Sequence, residues 1–108
     1  MPVIESTSDN FSKHSKSGYA FVDFNADWCG PCQILGPIFD SLAEDYESCP
    51  SLKFLSVNID VSPELAEEFG VSGIPCLVLL KDGEEIARSV GVVPKRKLEK
   101  ILKKALAV

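Results

Sequence analysis

Apolar positions along this chain change their period at clear boundaries, and those boundaries outline its elements. Tyr19, Ala20, Phe21, Val22 and Phe24 form an almost continuous apolar run interrupted by Asp23, which predicts a strand covered on both faces. Ile34, Leu35, Ile38, Phe39, Leu42 and Tyr46 then recur at helical spacing. They predict a helix through Glu47, which Pro37 should kink by removing one backbone hydrogen bond. Leu52 to Ile59 reads as a second buried strand, and Pro63 to Phe69 as a short helix begun by Ser62 and Pro63 and ended by Gly70. A third strand is predicted from Cys76 to Leu80. The Asp82-Gly83 pair is a hairpin turn signal leading to a strand at about 84–90. The polar stretch from Asn10 to Gly18 predicts a short helix with its exit turn. At the other end, Leu98, Ile101, Leu102, Ala105 and Leu106 give an amphipathic helix started by Pro94.

The predicted order is helix, strand, helix, strand, helix, strand, strand, helix. The first crossovers demand parallel pairing and the hairpin demands an antiparallel pair. The expected class is therefore α/β, with a central mixed β-sheet flanked by helices on both faces. With 108 residues, the expectation is one domain, 1–108, without repeats, linker or low-complexity tract.

Composition changes this picture little: 45% apolar and 25% charged residues are ordinary for a folded soluble domain. A net charge of −5 argues against nucleic acid as a partner. Residues 94–108 hold six cations against Glu99, a local charge of +5 that leaves −10 elsewhere. A docked surface helix with solvated lysines explains this pattern better than a membrane or polyanion site. The first residues carry no basic leader or long apolar run, so no membrane association and a cytoplasmic location are expected.

Chemistry concentrates in Trp28-Cys29-Gly30-Pro31-Cys32, between the first long strand and the helix that follows. Two thiols at this spacing can close and reopen a small disulfide ring, although the same spacing also supplies half of many zinc sites. The thiolate is the attacking species in disulfide exchange, and a helix N-terminus stabilises negative charge. Cys29 is accordingly expected to be an exposed, acidic nucleophile. Cys32, one turn inward and more buried, is placed to resolve the mixed disulfide. Gly30 permits a close approach, and Pro31 sets φ near its helical value while removing a donor that has no partner there.

These residues, with Val22-Asp23-Phe24, Asn58-Ile59-Asp60, Gly73-Ile74-Pro75, Lys81-Asp82-Gly83-Glu84 and Gly91 in order, resemble the thioredoxin family over nearly the whole chain. The resemblance implies the thioredoxin fold and a thiol–disulfide oxidoreductase that reduces disulfides in target proteins. It implies no bound cofactor, a monomer, and re-reduction by a thioredoxin reductase drawing on NADPH. It makes Asp23 the buried acid that exchanges a proton with the resolving thiol. From the residues alone, an acid in that apolar run is either desolvated, with its pKa raised, or turned outward. Pro75, which would by itself be read as an ordinary trans proline, becomes a cis proline opposite the cysteines. Ile74 then offers its backbone to an extended substrate segment. Trp28, Gly73, Ile74, Pro75 and Gly91 would line the receiving groove, though tryptophan is more commonly a core residue.

Three positions depart from the family: Asn25 for an aromatic residue, Ser56 for a lysine near the buried acid, and Cys76 for a threonine after the proline. Without that lysine the acid is expected to titrate higher. Cys76 is either a small buried apolar residue or a regulatory thiol open to glutathionylation, shuffling or a soft metal. Cys49 reads as a half-buried spectator and His14 as a surface residue. A zinc module would need two further ligands, which Cys49, Cys76 and His14 do not offer at suitable spacing, so no metal is expected. A redox-silent binding protein would share the fold. A disulfide isomerase or a glutaredoxin would share it too, but Gly30-Pro31 disfavours both.

Overall fold

The computed structural model describes residues 2–107. Its strands are β1 (Val3–Glu5), β2 (Tyr19–Asn25), β3 (Leu52–Asn58), β4 (Cys76–Lys81) and β5 (Glu84–Val90). Its helices are α1 (Phe11–Ser15), α2 (Gly30–Asp45), α3 (Pro63–Glu68) and α4 (Lys95–Leu106). The sheet order is β1-β3-β2-β4-β5. Strands β1, β3 and β2 are parallel, β4 is antiparallel to β2, and β5 is antiparallel to β4.

The α/β class and mixed sheet match the expectation, with one added element. Strand β1 was not foreseen, because three residues are too few for alternation to show; its register on β3, Val3 against Phe54, is a long-range contact. Helix α2 stops at Asp45 and not Glu47, and it runs as one element across Pro37. Strand β3 ends at Asn58, one residue earlier than expected.

Strand β2 sits at the centre, and its residues 20–24 are all buried. Successive side chains point to opposite faces. Phe21 packs with Leu35, Phe39, Leu42, Leu98 and Leu102 of α2 and α4, while Ala20, Val22 and Phe24 pack with Phe11 of α1 and Leu65 of α3. Two cores therefore flank one sheet. In the first, Phe39 meets Phe21 and Phe54 edge-on at centroid distances of 5.7 and 5.3 Å.

Asp82 and Gly83 both adopt positive φ, 51° and 87°, the backbone that a two-residue hairpin joining right-twisted strands requires. This turn sends β5 back along β4, so Val90 lies beside Cys76, which in turn lies beside Phe24. The ends of β2, β3 and β5 and the start of β4 thus converge at one end of the sheet, where α2 begins.

Phe39→Ala is expected to cost about 3–5 kcal/mol, the range for deleting a fully buried aromatic ring. Urea denaturation checks this; a loss below about 1 kcal/mol would mean that the α2 core does not depend on this ring.

Candidate active site

At that end of the sheet Cys29 and Cys32 are joined as a disulfide, with Cα atoms 5.2 Å apart. Cys29 is the N-cap of α2, with extended φ and ψ of −88° and 108°, and its Sγ accepts a hydrogen bond of 3.2 Å from the Cys32 N–H. The cap is thus a sulfur, held where the helix presents unpaired donors and its positive end. Pro31 lies in the first turn, where its missing N–H leaves nothing unpaired.

Two expectations need correction. Cys29 is only 5% exposed, and Cys32 has the same value, so neither the exposure of the first nor the deeper burial of the second holds in the disulfide state. The reason is packing: Ala26 clusters with the two cysteines, and Ile59 and Ile74 pack against that cluster.

Asp23 lies on the same sheet face as Phe21, under α2, because residues two apart in a strand share a face. It lines a cavity of about 370 Å³ together with Glu5, Asn25, Cys32, Gly36, Asp40 and Ser56, among others. Its carboxyl is buried, and Oδ1 has no hydrogen-bond partner. Its pKa is raised from an ordinary 3.8 to about 7, chiefly by burial and then by the Asp40 charge, while the Asn25 amide opposes and Glu5 adds a smaller push upward. Asn25 and Ser56, both departures from the family pattern, are joined: Asn25 Nδ2 donates to Ser56 Oγ at 2.9 Å and to the Asp23 carbonyl at 3.0 Å. Ser56 is also the register partner of Asp23 and of Glu5.

The Ile74–Pro75 peptide is cis. Pro75 is buried, and Ile74 packs against the cluster that Cys29 and Cys32 form with Ala26. Gly91 adopts φ 87°, and from there its N–H donates to the Pro75 carbonyl at 2.8 Å. Exposed Gly73 lies near Val90, whose side chain is 59% exposed. Trp28 is not a core residue: it is 69% exposed, and its Nε1 donates to Asp60 Oδ2 at 2.9 Å. Asp60 is in turn held by its N–H to Asn58 Oδ1 at 2.8 Å. Sequence reasoning assigned no role to Asp60, Asp40 or Glu5, because each reaches the site only through folding. The unusual absence of a cation at Ser56 was the one signal that pointed toward the last two.

Cys76 is 1% exposed and packs with Phe24 and Val78 on the α1 and α3 side of the sheet. Burial pushes its thiol up, with Arg88 pulling the other way. Cys49 is half-buried beside Ser51, and His14 is half-buried, not fully at the surface. Among the described residues, no group of three or more His, Cys, Asp or Glu side chains is placed to hold a metal ion.

The thioredoxin family model matches residues 2–104. The chain belongs to the thioredoxin family. It is 47% identical to the thioredoxin of Chlamydia muridarum over 91% of this chain and 93% of that protein. It is 38% identical to the thioredoxin of Bacillus subtilis over 98% and 100%. Membership, with the Cys29–Cys32 disulfide, makes the protein a thiol–disulfide oxidoreductase of the protein-disulfide reductase type. Its general partners are disulfide-containing proteins and a reductase that restores the dithiol. Among the described residues, no helix is long and apolar enough to cross a membrane.

Two expectations follow. Asp23 binds its proton more tightly in the folded state, about 7 against 3.8, so the stability it contributes is complete below pH 3.8 and is lost as pH rises through 7. That gap corresponds to about 4 kcal/mol of strain at alkaline pH. Asp23→Asn should raise the melting temperature at pH 8, with the gain vanishing near pH 4; a gain independent of pH would contradict the buried-charge account. In native reduced protein, iodoacetamide followed by peptide mass spectrometry should label Cys49 well before Cys76. Equal labelling rates would show that Cys76 is open to reagents.

Proposed function

We propose that Cys29 is the attacking thiol, Cys32 the resolving thiol and Asp23 the group that takes the Cys32 proton. The Cys29 thiolate attacks a target disulfide, giving a Cys29–target mixed disulfide and releasing one target thiolate. Cys32 then passes its proton to the Asp23 carboxylate and attacks Cys29 Sγ. The bond between Cys29 and the target breaks, the second target sulfur leaves as thiolate, and two electrons have moved from the dithiol to the target. The observation that carries this reading is one arrangement: Cys29 at the N-cap of α2, and Cys32 on the wall of the cavity that contains the buried Asp23 carboxyl.

Gly30 and Pro31 tune this centre through the shape of the first helical turn. Trp28, Gly73, Ile74, Pro75 and Gly91 form a groove in which an extended target segment aligns its disulfide with Cys29. The packing of Ile74 against the cysteine cluster and the hydrogen bond from Gly91 to Pro75 support that groove. The whole chain, 1–108, works as one domain and as a monomer, in the cytoplasm, and its reductase draws electrons from NADPH. No bound cofactor or metal enters this cycle. Cys76 is a packing residue in this scheme, and its burial speaks against a regulatory role.

Dithiothreitol-driven insulin reduction tests the reading. The wild-type protein should accelerate precipitation of the insulin B chain, and Cys29→Ser should abolish the acceleration. Failure of the wild type to accelerate it would turn the reading to a redox-silent binding module.

A further inference from the structure

The cavity beside Cys32 holds more negative charge than the proposed cycle uses. Glu5 on β1, Asp23 on β2 and Asp40 on α2 all line it, and its other lining groups from β1, β2, β3 and α2 are Val3, Asn25, Ser56, Cys32, Gln33, Gly36 and Phe39. No cation is among them. The α4 lysine that reaches toward α2, Lys95, is engaged by Asp45 and Ser41 and does not line the cavity. Glu5 and Asp23 sit in one row across the sheet, each in register with Ser56. Asp40 faces the same space from α2. The Asp23 carboxyl meets these two charges with no cation to offset them: its Oδ1 is buried and unpartnered, and only the Asn25 amide, which also donates to the Ser56 hydroxyl and the Asp23 backbone carbonyl, favours its ionised form.

We infer that Asp40 and Glu5 are positioning residues of the reduction cycle: their charges, facing one cavity with Asp23, oppose its ionisation and so govern when it can take the Cys32 proton. This rests on the role proposed for Asp23. Both side chains are themselves exposed to solvent. Asp23 itself is buried, so repulsion from like charges that face its cavity is screened less there than in water. Both charges push the Asp23 pKa upward, Asp40 the more strongly. A consequence follows for the cycle. Lowering the pH toward 6 should slow the Cys32 step more than the Cys29 step, and the slowing should depend on residues that touch neither sulfur in the mechanism.

Stopped-flow release of thionitrobenzoate from dithiobis-nitrobenzoate separates the two steps, because attack by Cys29 frees the first thiolate and resolution by Cys32 frees the second. Asp40→Asn and Glu5→Gln should each move the pH midpoint of the second phase downward, Asp40→Asn by more. At pH 6 the second phase of Asp40→Asn should run about 2.5-fold faster than wild type, the change that half a pH unit in a midpoint near 7 produces. Ser56→Lys, which adds a cation to the same cavity, should move the midpoint in the same direction. Glu68→Gln, an exposed charge removed from α3 on the other side of the sheet, should leave it in place. Carboxyl NMR titration of Asp23 in each oxidised variant gives the same midpoints without turnover. A merely structural role for Asp40 would change rates or amplitudes and leave both midpoints unmoved, and that result overturns the inference. If Asp23→Asn keeps the wild-type midpoint, the role of Asp23 falls and this inference falls with it. If Asp23→Asn loses the midpoint while Asp40→Asn and Glu5→Gln superimpose on wild type, only the inference falls.

Discussion

A carboxyl group buried on a strand that both layers of the structure cover is the constraint around which this molecule is arranged. Strand β2 must be apolar on each face because helices pack on both, yet it carries Asp23 among five consecutive buried residues. An unpaired carboxylate in that place is costly, so the group answers by holding its proton to about pH 7. The cost is kept because of where it lies, under the first turn of α2 and on the wall of a cavity shared with Cys32. In the cycle proposed for Asp23, a carboxyl that titrates near neutrality can both take and return a proton.

The rest of the architecture brings groups to that point. Parallel pairing of β2 with β3 places Asn25 beside Asn58, and antiparallel pairing of β4 places Cys76 beside Phe24. Pro75 therefore arrives at the cysteines from the far side of the hairpin, with Gly91 bonded to its carbonyl. A site at the carboxyl ends of parallel strands is general for α/β sheets. Here the antiparallel hairpin adds a second wall. Trp28 stands exposed at this end of the sheet, with its Nε1 donating to Asp60.

Asn25 and Ser56 show how one change in polarity is absorbed by its neighbours. Their mutual hydrogen bond satisfies two side chains that line the cavity. It also leaves Asp23 among negative charges alone, with Asp40 and Glu5 as the charged neighbours that line the same space. Local satisfaction of hydrogen bonds and local electrostatic balance are separate conditions: the first is met at Asn25 and Ser56, and at Asp23, whose Oδ1 has no partner, neither is met.

The amino-acid sequence by itself determined the element types, the α/β class, the hairpin at Asp82-Gly83 and the cysteine pair at a helix start. Each of these depends on spacing within a few residues, through side-chain periodicity, turn backbone and capping. Family resemblance extended that reading to Asp23 and Pro75. Only the tertiary structure decided the rest: β1 as the outer parallel strand, the equal burial of Cys29 and Cys32, the exposure of Trp28 on Asp60, and the gathering of Glu5, Asp23 and Asp40 around one cavity. Burial and charge proximity come from which elements pack together. Glu5, Asp23, Asp40 and Ser56 lie on β1, β2, α2 and β3, and no local pattern encodes the distance between such groups.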